Sequence, residues 1–125
     1  MIGSVDDLQR LCLAGELIEA GPAVPFDVVF AGQTCRAFAV RFDGQAHAYL
    51  NRCTHVAMEL DWQPNRVFDA AGQWLLCASH GAAYSPKTGQ CAAGPCREGL
   101  VKIKLVEQAG SIYWQTAYNL KPLSF

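Results

Sequence analysis

From Thr34 to Phe42 the chain alternates, with Phe38, Val40 and Phe42 on one side and Ala37, Ala39 and Arg41 on the other. A period of two places successive side chains on opposite faces of an extended backbone, so the stretch predicts a strand. Asp43-Gly44 supplies a hairpin turn into a second strand, Gln45 to Asn51, where Ala46, Ala48 and Leu50 alternate with His47, Tyr49 and Asn51. Phe26 to Phe30 predicts an earlier strand, fenced by Gly21-Pro22 and Gly32. Arg66 to Asp69 and Gln73 to Cys77 are expected to form another hairpin, turned by Ala70-Ala71-Gly72. Leu100 to Val106 reads as one strand, with Val101, Ile103 and Leu105 opposite Lys102 and Lys104. Ser111 to Thr116, after Gln108-Ala109-Gly110, is expected to close the fold. No helical period is sustained, although Gly15 to Glu19 has room for a single turn. Without repeats, low-complexity tracts or linkers, the expectation is an all-β domain of short antiparallel strands.

A length of 125 residues predicts one domain over 1–125, large enough to bury a core without disulfides. Only 17% of the residues are charged and the net charge is −1. The basic residues are scattered, which argues against a nucleic-acid partner, because neutralising phosphates takes clustered Lys and Arg. Lys102-Ile103-Lys104 reads as the wet face of a strand. No apolar run is long enough for a helical membrane span, and the start Met1-Ile2-Gly3-Ser4-Val5-Asp6-Asp7 lacks the basic and apolar stretches of a signal peptide. The expected location is the cytoplasm. In that compartment six cysteines point to metal ligands, small buried hydrophobes or reactive thiols before a disulfide framework.

Two boxes carry the chemistry. Cys53-Thr54-His55 follows one expected strand, and Cys77-Ala78-Ser79-His80 follows another. Paired strands can deliver two such loops side by side, bringing two thiolates and two imidazoles together as a metal-ligand set. Zinc accepts the same four donors, but zinc fingers favour a cysteine pair followed by a histidine pair, not two mixed boxes. A [2Fe–2S] cluster with cysteines on one iron and histidines on the other uses mixed boxes of this kind. Gly81 follows the second box, where a tight loop can demand a conformation other residues resist.

The pattern Cys-x-His, spacer, Cys-x-x-His-Gly resembles that of the Rieske iron–sulfur family, in particular its small soluble ferredoxins. The 21-residue spacer from Val56 to Leu76 is slightly longer than most in the family, and the Asp69 to Gly72 turn accommodates the excess. Tyr84-Ser85-Pro86-Lys87-Thr88-Gly89 is similar to the aromatic residue and Thr-Gly turn that follow the second box, and Gly94-Pro95 to the proline loop that covers the cluster. The match is strongest from about Phe38 to Trp114. The resemblance implies a Rieske-like fold with two cluster-binding loops and one [2Fe–2S] cluster. Cys53 and Cys77 would bind the inner iron, and His55 and His80 the outer iron near solvent.

Imidazole ligation has an electrostatic consequence. Two ferric ions, two sulfides, two thiolates and two neutral imidazoles sum to zero, whereas four thiolates would give −2. Adding an electron to the neutral centre costs less, which places Rieske potentials above those of plant-type ferredoxins. The resemblance also marks departures from the high-potential branch. Met58 and Ser79 occupy positions where that branch has a bracing disulfide, and Ala82 occupies that of a serine donor to sulfide. Tyr84 is retained at the position of a tyrosine donor to a ligand sulfur. The implied potential lies low in a range of roughly −150 to +300 mV.

The remaining residues admit quieter readings. Cys91 and Cys96 flank the proline loop as a disulfide, a redox-active pair or two small thiols, and a reducing cytoplasm favours the thiols. Cys12 and Cys35 are expected in the core, His47 at the surface, and Trp62 and Trp74 packed around the spacer. No dinucleotide fingerprint is present, and both box histidines are better used as ligands than in catalysis. The expected role is therefore non-enzymatic. A flavoprotein reductase would load the carrier, and a downstream oxygenase or other oxidoreductase would unload it. The alternative is a non-catalytic subunit or redox-sensing module of a larger enzyme, of the nitrite reductase small-subunit type.

Overall fold

A computed structural model describes residues 8–51, 60, 66–77, 82–94, 99–117 and 119–122. Among the described residues eleven strands appear in chain order: β1 Leu8–Leu13, β2 Val24–Phe30, β3 Gln33–Phe42, β4 Gln45–Leu50, β5 Leu75–Leu76, β6 Ala83–Tyr84, β7 Cys91–Ala93, β8 Lys102–Ile103, β9 Leu105–Gln108, β10 Ser111–Gln115 and β11 Leu120–Lys121. The single turn expected near Gly15 is a 3-10 turn, Ala14–Glu16. The described residues contain no α-helix, so the all-β expectation holds.

The strands form three antiparallel sheets, ordered β1-β10-β9, β11-β2-β3-β4-β8 and β5-β6-β7. The long β2-β3-β4 meander is the centre of the molecule because both its faces are apolar. Phe38, Val40 and Tyr49 face one cluster with Leu60, Val67, Phe68, Leu75, Cys77, Ala82, Tyr84 and Leu100. Ala37, Ala39, Ala48 and Leu50 face another, with Val28, Ile103, Ile112 and Trp114. The alanine face keeps a low profile, which leaves room for Trp114 to approach until its ring centroid lies 5.7 Å from that of Phe26. Turns Ala31-Gly32, Asp43-Gly44 and Ala109-Gly110 each have positive φ at both positions. That is the two-residue hairpin geometry whose twist matches the strands it joins.

Two strand expectations need correction. Leu100 to Val106 is not one strand. It breaks at Lys104 into β8, which joins the large sheet beside β4, and β9, which joins β10 in another sheet. Alternation survives the break, so periodicity cannot reveal a strand that changes sheets. Nor does Ser111 to Thr116 close the fold, since β10 lies between β1 and β9 and β11 follows it. The turn at Ala70-Ala71-Gly72 is as expected, with Asp69 N–H donating to Trp74 O at 2.9 Å and Leu76 N–H to Val67 O at 2.7 Å. Trp74 is nevertheless 41% exposed rather than packed around the spacer; Trp62 lies outside the described residues.

Candidate metal centre

Of the four expected ligands the structure describes Cys77; Cys53, His55 and His80 lie outside the described residues. The feet of their loops are described, and each pair is tied by a hydrogen bond. Strand β4 ends at Leu50, whose N–H donates to Val101 O at 2.9 Å. The next residue, Asn51, donates its N–H to Arg36 O at 2.9 Å, and its Oδ1 accepts the Leu60 N–H at 2.7 Å. That buried bond joins the two ends of the segment holding the first box. At the second box, Cys77 N–H donates to Ala82 O at 2.8 Å, closing the loop directly after β5.

A third loop closes beside them. Leu100 N–H donates to Gly89 O at 2.7 Å, joining the two ends of the segment that contains Gly94 and Pro95. Gly89 has φ +76°, and a Cβ there would lie 2.7 Å from Cε1 of Tyr49. The Thr88-Gly89 turn thus lies directly on the Tyr49 ring, and Tyr49 O–H donates to Pro86 O at 2.8 Å. Leu60, Cys77, Ala82, Tyr84 and Leu100 all belong to one buried cluster, so the feet of the three loops converge.

The described part of this site suits a thiolate-held metal centre. Cys77 is fully buried and is not in a disulfide. Its neighbours in the cluster are apolar and exclude water, which is the dry shell that tunes an iron–sulfur centre. Tyr84, also fully buried, pairs in register with Leu75, two residues before Cys77. Asn51 and Leu60 were not singled out in the sequence. A hydrogen-bonding residue two positions before a ligand cysteine was the available signal.

Three other residues depart from expectation or refine it. His47 is buried, at 8% exposure, rather than at the surface. Among the described residues its Nε2 has no hydrogen-bond partner, and burial, followed by the positive charges of Lys102 and Lys87, pushes its pKa down. It alternates onto the same face of β4 as Tyr49, and Lys87, one of the two charges acting on it, reaches Asp43 at 2.7 Å. Cys91 is disulfide-bonded, against the preferred reading of two free thiols. Cys12 is buried as expected, whereas Cys35 is half-buried.

Comparison with known proteins agrees with the fold. The family model for the Rieske [2Fe-2S] domain matches residues 8–108. The ferredoxin of carbazole 1,9a-dioxygenase from Nocardioides aromaticivorans IC177 superimposes with a TM-score of 0.64 at 23% identity, over 86% of this chain and 95% of that one. A complex of reduced oxygenase and oxidized ferredoxin in carbazole 1,9a-dioxygenase contains a chain that matches with a TM-score of 0.62 at 25% identity, over 84% of this chain and 98% of that one. The Sphingomonas yanoikuyae B1 ferredoxin gives 0.62 at 21% identity, over 85% and 95%. No curated protein matches. Buried Cys77, the converging loop feet and a family match spanning most of the chain lead to one assignment: the chain belongs to the Rieske [2Fe-2S] domain family, whose cofactor is one Rieske-type cluster.

Proposed function

We propose that this chain, as a single domain over 1–125, is a one-electron carrier between a flavoprotein reductase and a terminal oxygenase or other oxidoreductase. The observation that carries the reading is the meeting of three loop feet, through Leu60, Cys77, Ala82 and Leu100, in one buried cluster. Cys53 and Cys77 hold the inner iron, and His55 and His80 the outer iron. When bound, the cluster accepts and releases one electron without breaking a bond in the protein.

The chain's own residues hold and tune the site. Asn51 fixes the spacing of the first loop through Leu60, and the Cys77 to Ala82 bond fixes the second. Apolar packing around Cys77 excludes water and keeps reorganisation small on electron transfer. A relative bound to an oxygenase in a solved complex supports the choice of acceptor class. No helix among the described residues is long and apolar enough to cross a membrane.

The test is stoichiometric transfer. The cluster-loaded chain, reduced with dithionite and freed of excess reagent, is mixed with ferricytochrome c. One cytochrome reduced per chain, within the mixing time of a stopped-flow instrument or a few seconds after it, is expected. No transfer, or transfer only after the protein denatures, overturns the carrier role.

A further inference from the structure

A cleft of about 450 Å³ lies between the chain at Ala20-Gly21 and the hairpin arm that runs from Arg66 to Gly72. None of the residues lining it is a proposed iron ligand. Both walls are held in place. On one side Ala20 N–H donates to Arg41 O at 2.8 Å, and the Glu19 carboxylate accepts the N–H groups of Asp43 and Gly44 at 2.6 and 2.8 Å. On the other, Asp69 Oδ1 accepts the N–H groups of Gln73 and Trp74 at 2.9 and 3.2 Å. A Cβ on Gly72 would lie 3.1 Å from Ala20 Cβ, so the two walls meet at that point. The hollow is preformed, and filling it costs little ordering of the protein.

Its surroundings are not those of a surface left to water. Trp74 is 41% exposed. It stands directly across the hairpin from Asp69, whose N–H donates to Trp74 O at 2.9 Å. Directly opposed residues of an antiparallel pair project from one face, so the indole lies beside a cleft-lining residue. Ile18 is 60% exposed, and its Cβ is 3.0 Å from where a Cβ on Gly21 would be. Arg66 is exposed and makes no ion pair among the described residues. Tryptophan and arginine beside a preformed hollow are the side chains that dominate protein–protein binding energy.

We propose that this patch is a two-fold docking surface for a second copy of the chain, in which Trp74 enters the partner's cleft and Arg66 meets the partner's Asp69. What selects a second copy is that the patch is complementary to itself. A two-fold contact brings the same surface to both sides, so it needs a projection and a hollow, and a positive and a negative charge, on one patch. Trp74 and the cleft supply the first pair, and Arg66 and Asp69 the second. A partner of one charge sign would satisfy Arg66 or Asp69 and be repelled by the other. Clefts of about 300–1,000 Å³ enclose compact, largely apolar groups, and an indole is one.

The test is sedimentation equilibrium of the full-length, cluster-loaded chain over about a hundred-fold range of concentration. The parent should pass from the mass of one chain toward that of two. Its tryptophan emission should move to shorter wavelength in step, a shift that Trp74→Ala abolishes. Trp74→Ala and Arg66→Glu should each weaken association at least about tenfold. Arg66→Lys, which keeps the charge, should stay within a few-fold of the parent. So should Leu13→Ala, which trims a side chain that is 52% exposed but does not line the cleft. Each variant should keep the parent's urea midpoint at the lowest concentration; if one of the two weakening variants loses it, the other decides. The mass of one chain at every concentration overturns the proposal. Short-wavelength emission independent of concentration in that monomer would assign the cleft to a segment of the same chain. A dimer that neither Trp74→Ala nor Arg66→Glu weakens uses another face and overturns it as well.

Discussion

The N–H of Leu60 donates a 2.7 Å hydrogen bond to Oδ1 of Asn51, and both residues are buried. This contact joins the two ends of the segment that holds the first box. Asn51→Leu leaves the Leu60 donor buried without its acceptor and should cost about 1–3 kcal/mol. The variant should also retain less iron per chain than the parent, while Asn51→Asp, which keeps the acceptor oxygen, should lie between. Urea denaturation and iron analysis check both, and a Leu variant with full iron and unchanged midpoint would contradict the role given to Asn51.

Gly89 and Gly32 allow a controlled comparison. Both have positive φ, so alanine at either should cost about 1–2 kcal/mol through the backbone alone. At Gly32 the space is open, whereas at Gly89 the new methyl lies 2.7 Å from the Tyr49 ring. Overpacking adds about 1–3 kcal/mol there. Gly89→Ala should therefore be the more destabilising in urea, and equal losses would show that the turn does not press on Tyr49.

His47 sets a pH dependence with a definite sign. Its folded-state pKa is held below the ordinary value of 6.5 by burial and by Lys102 and Lys87. At neutral pH both folded and unfolded chains carry it uncharged. As pH falls through the unfolded value, the unfolded chain takes up a proton that the folded chain resists, so stability falls. The urea midpoint should drop between pH 7 and pH 5, and by less in His47→Asn. The box histidines are common to both proteins and cancel in that difference. An identical slope in the variant would remove His47 as the source.

Ala82 occupies the place of a serine donor in high-potential relatives, by the resemblance of the second box. Ala82→Ser should raise the midpoint potential by adding a hydroxyl that stabilises the reduced state, and Tyr84→Phe should lower it. Protein-film voltammetry reads both. Proton uptake by a histidine ligand on reduction should make the midpoint fall with pH between pH 6 and 10, and a flat line would exclude that coupling.

Much of this architecture was legible along the chain. The β2-β3-β4 meander follows directly from two-residue alternation and from Asp43-Gly44, because local pattern and tertiary burial agree there. Strand β8 parts from β9 at Lys104 for a reason no local pattern holds: the chain moves between sheets without changing its alternation. His47 was misplaced because a polar residue on a strand is expected on the wet face, whereas this sheet buries both faces. The boxes were legible as chemistry, since four soft and borderline donors at that spacing have few other uses. Their mechanical support, Asn51 to Leu60 and Gly89 to Leu100, was not, because a side-chain acceptor in one case and a backbone carbonyl in the other meet donors beyond the reach of any local pattern.

The most direct test is iron and acid-labile sulfide analysis joined to an EPR spectrum of the dithionite-reduced protein. The account predicts two irons and two sulfides per chain and a rhombic signal of low average g, lost together in Cys77→Ser and in His80→Ala. Zinc without sulfide, and no signal on reduction, would contradict it.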